Sequence, residues 1–181
     1  LEGEKIILET LKSKSIILRS GLMIGTNDRF FNTFGSLCQI SPFLPLIGRG
    51  LNYIQPIAVR DVARAVVEVL EKEEIKNNTY ELGGPETFTF KELMEILLKQ
   101  IKKKRFLVPI PIPFAKVLGR VLGIMPKPLL STDNVELTQY DAIVSNKYKT
   151  IKDLKISPKS INEVLPNYIW RFRKGGQFAK L

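Results

Sequence analysis

Histidine is absent from this 181-residue chain, and cysteine occurs once, at Cys38. Without histidine there is no Ser-His-Asp triad, no imidazole general base and no histidine-based transition-metal centre. A lone cysteine excludes an internal disulfide framework and suits a reducing compartment. Acidic residues are scarce in one half: residues 99–181 hold 5 Asp+Glu against 17 Lys+Arg, whereas residues 1–98 hold 13 against 11. The net charge of +10 is therefore +12 in the second half and −2 in the first. A basic half calls for an acidic partner (nucleic acid, anionic lipid or an acidic protein face) or is an ordinary basic surface. No zinc-finger spacing, RNA-binding aromatic motif or long basic repeat favours nucleic acid, and none is expected as a partner. Lys116 and Arg120 interrupt the apolar stretch 106–125, so it is no transmembrane span. The chain opens LEGEK, with no signal-peptide pattern, and reads as the middle of a protein. Its hydrophobic share of 44% beside 25% charged residues is a globular composition, enough for one sizeable domain.

The pivotal stretch is 51–70, LNYIQPIAVRDVARAVVEVL. Its first part alternates like a half-buried strand, Tyr53, Gln55 and Ile57 against Ile54, Pro56 and Ala58. Asp61 stands as the expected helix cap, ahead of an apolar stripe of Val62, Ala65, Val66, Val69 and Leu70. Upstream, residues 1–13 read as an amphipathic helix with Ile6, Ile7 and Leu11 on one face. SIILR (15–19) reads as a buried parallel strand, broken at Ser20 and Gly21 before LMIG resumes as far as Gly25. Small residues at a strand exit are where an open α/β sheet presents backbone to a ligand; a plain turn is the alternative. Asp28 caps a helix whose Phe30, Phe31, Phe34 and Leu37 recur at core spacing. SPFLPLIGRG (41–50), with two prolines and two glycines, is expected to be a loop.

Residues 73–78 read as a polar turn and TYEL (79–82) as a short strand, closed by Gly83-Gly84-Pro85. Thr89 and Glu92 form a capping box for a helix from Phe90 to about Lys103. Lys102–Arg105 then complement its dipole. FLVPIPIPF (106–114) is extended, edge-like chain that cannot be a central strand. Pro113 starts a helix whose Phe114 and Val117 face either a core or a membrane or partner surface. A capped short helix is expected over 131–141, and a loop with a strand fragment over 149–157. The last helix, 157–176, should end or kink at Pro166. Its Tyr168, Trp170 and Phe172 among Arg171, Arg173 and Lys174 suit an interfacial anchor, a protein contact or docking on the chain's own domain. These patterns describe an α/β fold: the C-terminal part of a doubly wound Rossmann-like domain (1–90) and a small α-rich cap with a basic region (91–181).

YIQPIAVRDVARAV resembles the QPV-V-DVA-A signature of the extended, atypical short-chain dehydrogenase/reductase family, whose members include NAD-dependent epimerases and dehydratases. Gly3 and Glu4 resemble the small-residue G-E pair that follows the family's Tyr-x-x-x-Lys helix. That places the Tyr/Lys pair and the glycine-rich phosphate loop upstream of Leu1. Gly25, Asp28, Arg29, Phe30, Asn32 and Phe34 are similar to a G-x-x-D-R-F-x-N-x-F stretch of one branch, the NADH-dehydrogenase-like accessory subunits of respiratory complex I. Gln55, Pro56, Val59, Asp61 and Val62, then Gly84-Pro85 and FLVPIPIPFAKVLGRVLGI, follow that branch's layout.

The resemblance implies NAD or NADP bound mostly by an upstream nucleotide-binding half, with the backbone of Ser20, Gly21, Leu22 and Met23 approaching the nicotinamide ring. Many enzymes of the family carry proline where Ser20 or Gly21 stands. No catalytic residue and no metal ligand is assigned within this chain. The implied role is a non-catalytic accessory subunit whose nucleotide is structural. Its implied partners are complex I subunits and an anionic membrane surface. Its implied place is the cytoplasmic or mitochondrial-matrix side, peripheral on the inner membrane. The alternative is an active epimerase, dehydratase or reductase on a sugar nucleotide or similar substrate, with Asp61, Arg60 or Arg49 near a substrate phosphate. A third reading is a stand-alone basic adaptor.

Overall fold

Short β-branched and aliphatic runs, each ended by small or breaker residues, set the strands; the helices between them fill the crossover lengths that parallel pairing requires. The computed structural model describes residues 2–11, 15–71, 79–122, 135–136, 138–145 and 147–176. The polar turn expected at 73–78 and most of the helix expected at 131–141 lie outside these residues. Helix α1 (Glu2–Leu11) leads to β1 (Ile17–Ser20) and β2 (Met23–Ile24), then α2 (Arg29–Ile40) and β3 (Phe43–Ile47). Strands β4 (Tyr53–Ile54) and β5 (Ile57–Ala58) precede α3 (Val59–Glu71), β6 (Thr79–Leu82) and β7 (Phe88–Thr89). There follow α4 (Phe90–Ile101), β8 (Phe106–Ile110), α5 (Ile112–Leu122) and β9 (Lys149–Thr150), and then the short helices Ile161–Val164 and Pro166–Ile169.

The main sheet is parallel in the order β1-β6-β9, with Ile17 beside Thr79 and Ser20 beside Leu82. One of its faces is apolar: Tyr80 and Leu82, with Leu18, pack under Ala65 and Val69 of α3 and against Ile151 and Leu154. A parallel β2–β5 pair continues the strand exits, and β4 pairs antiparallel with β7. The larger core joins α2, β3 and α4 to the C-terminal helices through Phe31, Leu44, Leu93, Leu97, Leu165 and Ile169. Phe30, Phe34 and Phe90 complete it by edge-to-face contacts with centroids 5.3 to 5.6 Å apart. The aromatics of α2 are thus core, as their spacing predicts.

Three sequence expectations change. The loop foreseen at 41–50 contains β3, which pairs in parallel with β8 from Phe43–Phe106 to Ile47–Ile110. A two-stranded ribbon tolerates Pro45, Pro42 and Pro109 because each strand keeps an outer edge needing no partner. Residues 51–58 form two strands rather than one, interrupted at Gln55-Pro56. Helix α3 starts at Val59, so Asp61 lies in its first turn, buried, instead of capping it. The aromatic–basic tail docks on its own domain, with Tyr168 and Ile169 buried and Phe172 against the larger core. Pro166 breaks the last helix as expected, but Leu165 keeps helical angles (φ −60°, ψ −43°) and the chain resumes with Pro166 in the first turn.

Candidate functional site

The carboxyl ends of β1 and β6 open into a cleft of about 200 Å3, lined by Arg19, Ser20, Gly21, Gln55, Glu81 and Gly83 among others. Strand exits of a parallel sheet are where doubly wound folds bind ligands. Segment 141–145 lies across the opening, stitched down by the pivotal stretch. Tyr53 N donates to Asp141 Oδ1 (2.8 Å), Ala142 N to the Tyr53 carbonyl (2.7 Å) and Gln55 N to the Ala142 carbonyl (3.0 Å). The Gln55 side chain is a two-way clamp, its Nε2 donating to the Gly84 carbonyl (2.7 Å) and its Oε1 accepting from Val144 N (3.0 Å). This explains the QP pair and the Gly83-Gly84 turn together. A Cβ on Gly83 would stand 2.6 Å from Gln55 Cδ, and one on Gly84 only 1.9 Å from the Pro56 carbonyl.

Charge in the cleft is paired. Arg19 donates from Nε and Nη2 to the two carboxylate oxygens of Glu4 on α1 (2.9 and 2.7 Å) and lies 3.5 Å from Glu81. Its guanidinium also sits 4.4 Å from the Tyr148 ring centroid. The hydrogen bonds from Arg19 hold the Glu4 carboxyl below the usual carboxylate range, and Glu4 in turn pushes the guanidinium further toward its charged form. Burial pulls Glu81 up, but the Ser145 amide and hydroxyl, with Arg19, outweigh it and leave its pKa lowered. The cleft thus offers backbone and a serine hydroxyl, with Arg19 and Glu81 already committed to partners.

Of the four residues expected to approach a nucleotide, two line the cleft. Ser20 ends β1 and Gly21 follows it, where a Cβ would meet the Gln55 carbonyl at 3.3 Å and the Ala142 carbonyl at 3.6 Å. Leu22 instead packs against the larger core, and Met23 is exposed on β2. Asp61, Arg60 and Arg49 are not brought to the cleft. Asp61 accepts from Lys159 N (2.8 Å) and lies 3.6 Å from Arg64, tying α3 to the segment ahead of the C-terminal helices. Arg49 is exposed in a left-handed turn (φ 71°).

The G-x-x-D-R-F-x-N-x-F stretch is a structural joint. Asp28 caps α2 by accepting from Phe31 N (2.6 Å), while Asn32 Nδ2 donates to the carbonyls of Asp28 (2.7 Å) and Thr26 (3.1 Å). The Tyr168 hydroxyl donates to the same Asp28 carboxylate, and burial, then that hydrogen bond, push the phenol's pKa up. Gly25 must lack a side chain, since a Cβ would come 2.7 Å from Val59 Cγ1. Sequence reasoning missed the Arg19–Glu4–Glu81 triad. The only signal for it was a lone arginine at the end of an apolar strand.

No protein-family model matches the chain. It is 33% identical over 184 residues to the mitochondrial NADH dehydrogenase [ubiquinone] 1 alpha subcomplex subunit 9 of Arabidopsis thaliana, covering 96% of this chain and 46% of that protein. It is 28% identical over 181 residues to the mitochondrial NADH-ubiquinone oxidoreductase 40 kDa subunit of Neurospora crassa, covering 97% and 46%. The chain thus spans about half the length of the curated relatives it matches. Among solved structures, the dTDP-glucose 4,6-dehydratase of Bacillus anthracis in complex with NAD superposes with a TM-score of 0.65 at 18% identity, over 92% of this chain and 48% of that one. The UDP-glucose 4-epimerase of Thermotoga maritima with UDP-glucose gives 0.59 at 19% identity, over 96% and 50%. At such identities the likeness establishes a shared fold. Along nearly its whole length the chain is thus similar to the NADH dehydrogenase subunit 9 proteins, and it shares the fold of the NAD-bound nucleotide-sugar dehydratase and epimerase structures.

Proposed function

We propose that this chain is the C-terminal half of a nucleotide-binding, non-catalytic accessory subunit of NADH:ubiquinone oxidoreductase. On this reading residues 1–90 complete a Rossmann-like domain begun upstream, and 91–181 form its cap. The observation that carries it is the similarity to the subunit 9 proteins along almost the whole chain. The cleft chemistry supports the non-catalytic part. Its titratable lining residues, Arg19 and Glu81, are ion-paired and hydrogen-bonded, whereas proton transfer requires a group poised to change its protonation state. Ser20 and Gly21 line the cleft at the strand exits, where doubly wound folds bind nucleotides, and would hold the nicotinamide end of NAD or NADP. A bound nicotinamide supplies hydride chemistry. In an accessory subunit the same contacts serve to stabilise the domain by mass action.

A second reading, an active epimerase or dehydratase, has the solved-structure neighbours in its favour. In that case the acid–base pair would come from upstream. On either reading the edge of β1 that has no partner strand among the described residues, together with the exposed apolar face of α1, would be the seam with an upstream half. Among the described residues no helix is long and apolar enough to cross a membrane. Attachment at the matrix side of the inner membrane would therefore be peripheral for these residues, through complex I subunits and an anionic lipid surface. The test is native electrophoresis of detergent-solubilised membranes from the source, with hydride-transfer assays on the full-length protein. Co-migration with NADH dehydrogenase subunits and no turnover are expected. Steady turnover with a nucleotide sugar or keto substrate would overturn the accessory reading.

A further inference from the structure

Three segments free of acidic residues (29–60, 96–132 and 164–181) are far apart in the sequence, and described parts of each meet at one end of the molecule. There α2 and α4 both terminate, and β3 and β8 both begin. Arg105 donates from Nε and Nη2 to the Cys38 carbonyl (3.1 and 2.7 Å) and Lys103 Nζ donates to the same oxygen (3.3 Å), closing the end of α2. Arg173 Nε donates to the Gln100 carbonyl (2.8 Å), and Gln39 Nε2 to the Phe172 carbonyl (2.6 Å). These cations are positioned by carbonyls at the negative ends of the two helix dipoles. Around them Lys99, Lys102, Lys104 and Lys174 are exposed.

Apolar side chains stand in the same place. Ile40 is 84% exposed, and Phe106 (71%) lies beside Phe43 (54%) at the first rung of the β3–β8 ribbon, with ring centroids 5.9 Å apart. Val108, one exposed position further along, continues that face. Isolated exposed apolar residues are ordinary, but such a cluster bracketed by exposed lysines marks a contact surface.

We propose that this end of the molecule, Ile40, Phe43, Phe106 and Val108 bracketed by Lys102 and Lys104, seats on the interface of an anionic phospholipid bilayer. The proposal rests on the accessory-subunit reading and specifies which surface meets the membrane. Aliphatic Ile40 and Val108 suit the acyl boundary, while lysines reach phosphate with their stems over the apolar surface. The two phenylalanine rings face each other rather than standing apart to stack on bases, which disfavours nucleic acid. The basic tail contributes by holding α4 in place through Arg173, not by inserting.

The test is co-sedimentation of the full-length protein with vesicles of phosphatidylcholine alone or mixed with phosphatidylglycerol, at low and high salt. Binding is expected only to the mixed vesicles. Lys102→Gln with Lys104→Gln should weaken it about 25-fold, roughly five-fold for each cation removed near a charged surface. Phe43→Ser with Phe106→Ser should remove the part that resists salt. Lys102 caps α4 through its backbone amide alone, which glutamine retains, so the lysine pair keeps the test decisive if the phenylalanine pair disturbs folding. Equal sedimentation with both vesicle types, an unchanged lysine variant, or saturable binding to RNA or an acidic polypeptide in place of vesicles would overturn the proposal. Co-purification with NADH dehydrogenase subunits is measured beside it. If it persists without vesicle binding, only the lipid surface fails; if it is lost, the accessory reading fails.

Discussion

Two helical regions of the molecule are built differently. Helix α2, with α4 and the C-terminal helices, buries Phe31, Leu93, Met94, Leu97, Leu165 and Ile169 and is cross-linked by Asp28, Asn32, Arg105 and Arg173. Helix α1 buries none of its residues, and Ile6, Ile7 and Leu11 are 62%, 44% and 51% exposed. Its tie to the rest is the bidentate pair of Glu4 with Arg19. Both helices are amphipathic in sequence, so periodicity cannot tell them apart. What differs is whether the apolar face has a partner within the chain. The α2 side is a finished core, whereas the apolar face of α1 and the outer edge of β1 have no partner among the described residues.

The largest expected effect comes from forcing the unfinished side to stand alone. Expressed by itself, the chain should aggregate through the β1 edge and α1 face, as light scattering would show; a monomeric species with one cooperative melt would erase the contrast. Within the finished side, Phe31→Ala in the full-length protein should cost about 3–5 kcal/mol in denaturant unfolding. Ile6→Ala, if α1 truly lacks a partner, should cost less than about 0.5 kcal/mol in any soluble form of the isolated chain. At the clamp, Gly84→Ala drives a methyl group into the Pro56 carbonyl, and a loss of about 3 kcal/mol is expected in thermal melts. Asp28→Ala removes the α2 cap and the acceptor for Tyr168, costing about 1–2 kcal/mol.

The smallest effect is a pH dependence at α1. Arg19 depresses the Glu4 carboxyl in the folded state. A depressed acid stabilises fully above the unfolded carboxyl's ordinary value of about 4.3, and that contribution disappears as pH falls through the lower folded value. Acid should therefore release α1 while the α2–α4 core persists. Site-resolved hydrogen exchange measured from neutral pH downward would see α1 amides lose protection first. Simultaneous loss in both helices would contradict a separate tie.

Much of this was legible in the residues. The Thr89–Glu92 capping box, the TYEL strand and the Asp28 cap depend on neighbours three or four positions away, and each formed where local chemistry put it. The β3 strand was not legible, because Pro42 and Pro45 argue for a loop and its partner, β8, begins at Phe106, far along the chain. Asp61 misled for a similar reason: a carboxylate ahead of an apolar stripe looks like a cap, yet its partner is the backbone of Lys159. For the cleft, Ser20 and Gly21 were readable as small residues at a strand exit. The Gln55 clamp and the Arg19 triad join positions too distant for any spacing rule.

On the proposed reading the exit of β1 meets a nucleotide while the β3–β8 ribbon does not. Hydrogen–deuterium exchange of the full-length protein, with and without NADP(H) and NAD(H), tests it directly. The expected result is new protection at the amides of Ser20–Met23 on adding nucleotide, with Phe43–Ile47 and Phe106–Ile110 unchanged. Unchanged exchange at 20–23 under saturating nucleotide, or protection confined to the ribbon, would contradict it.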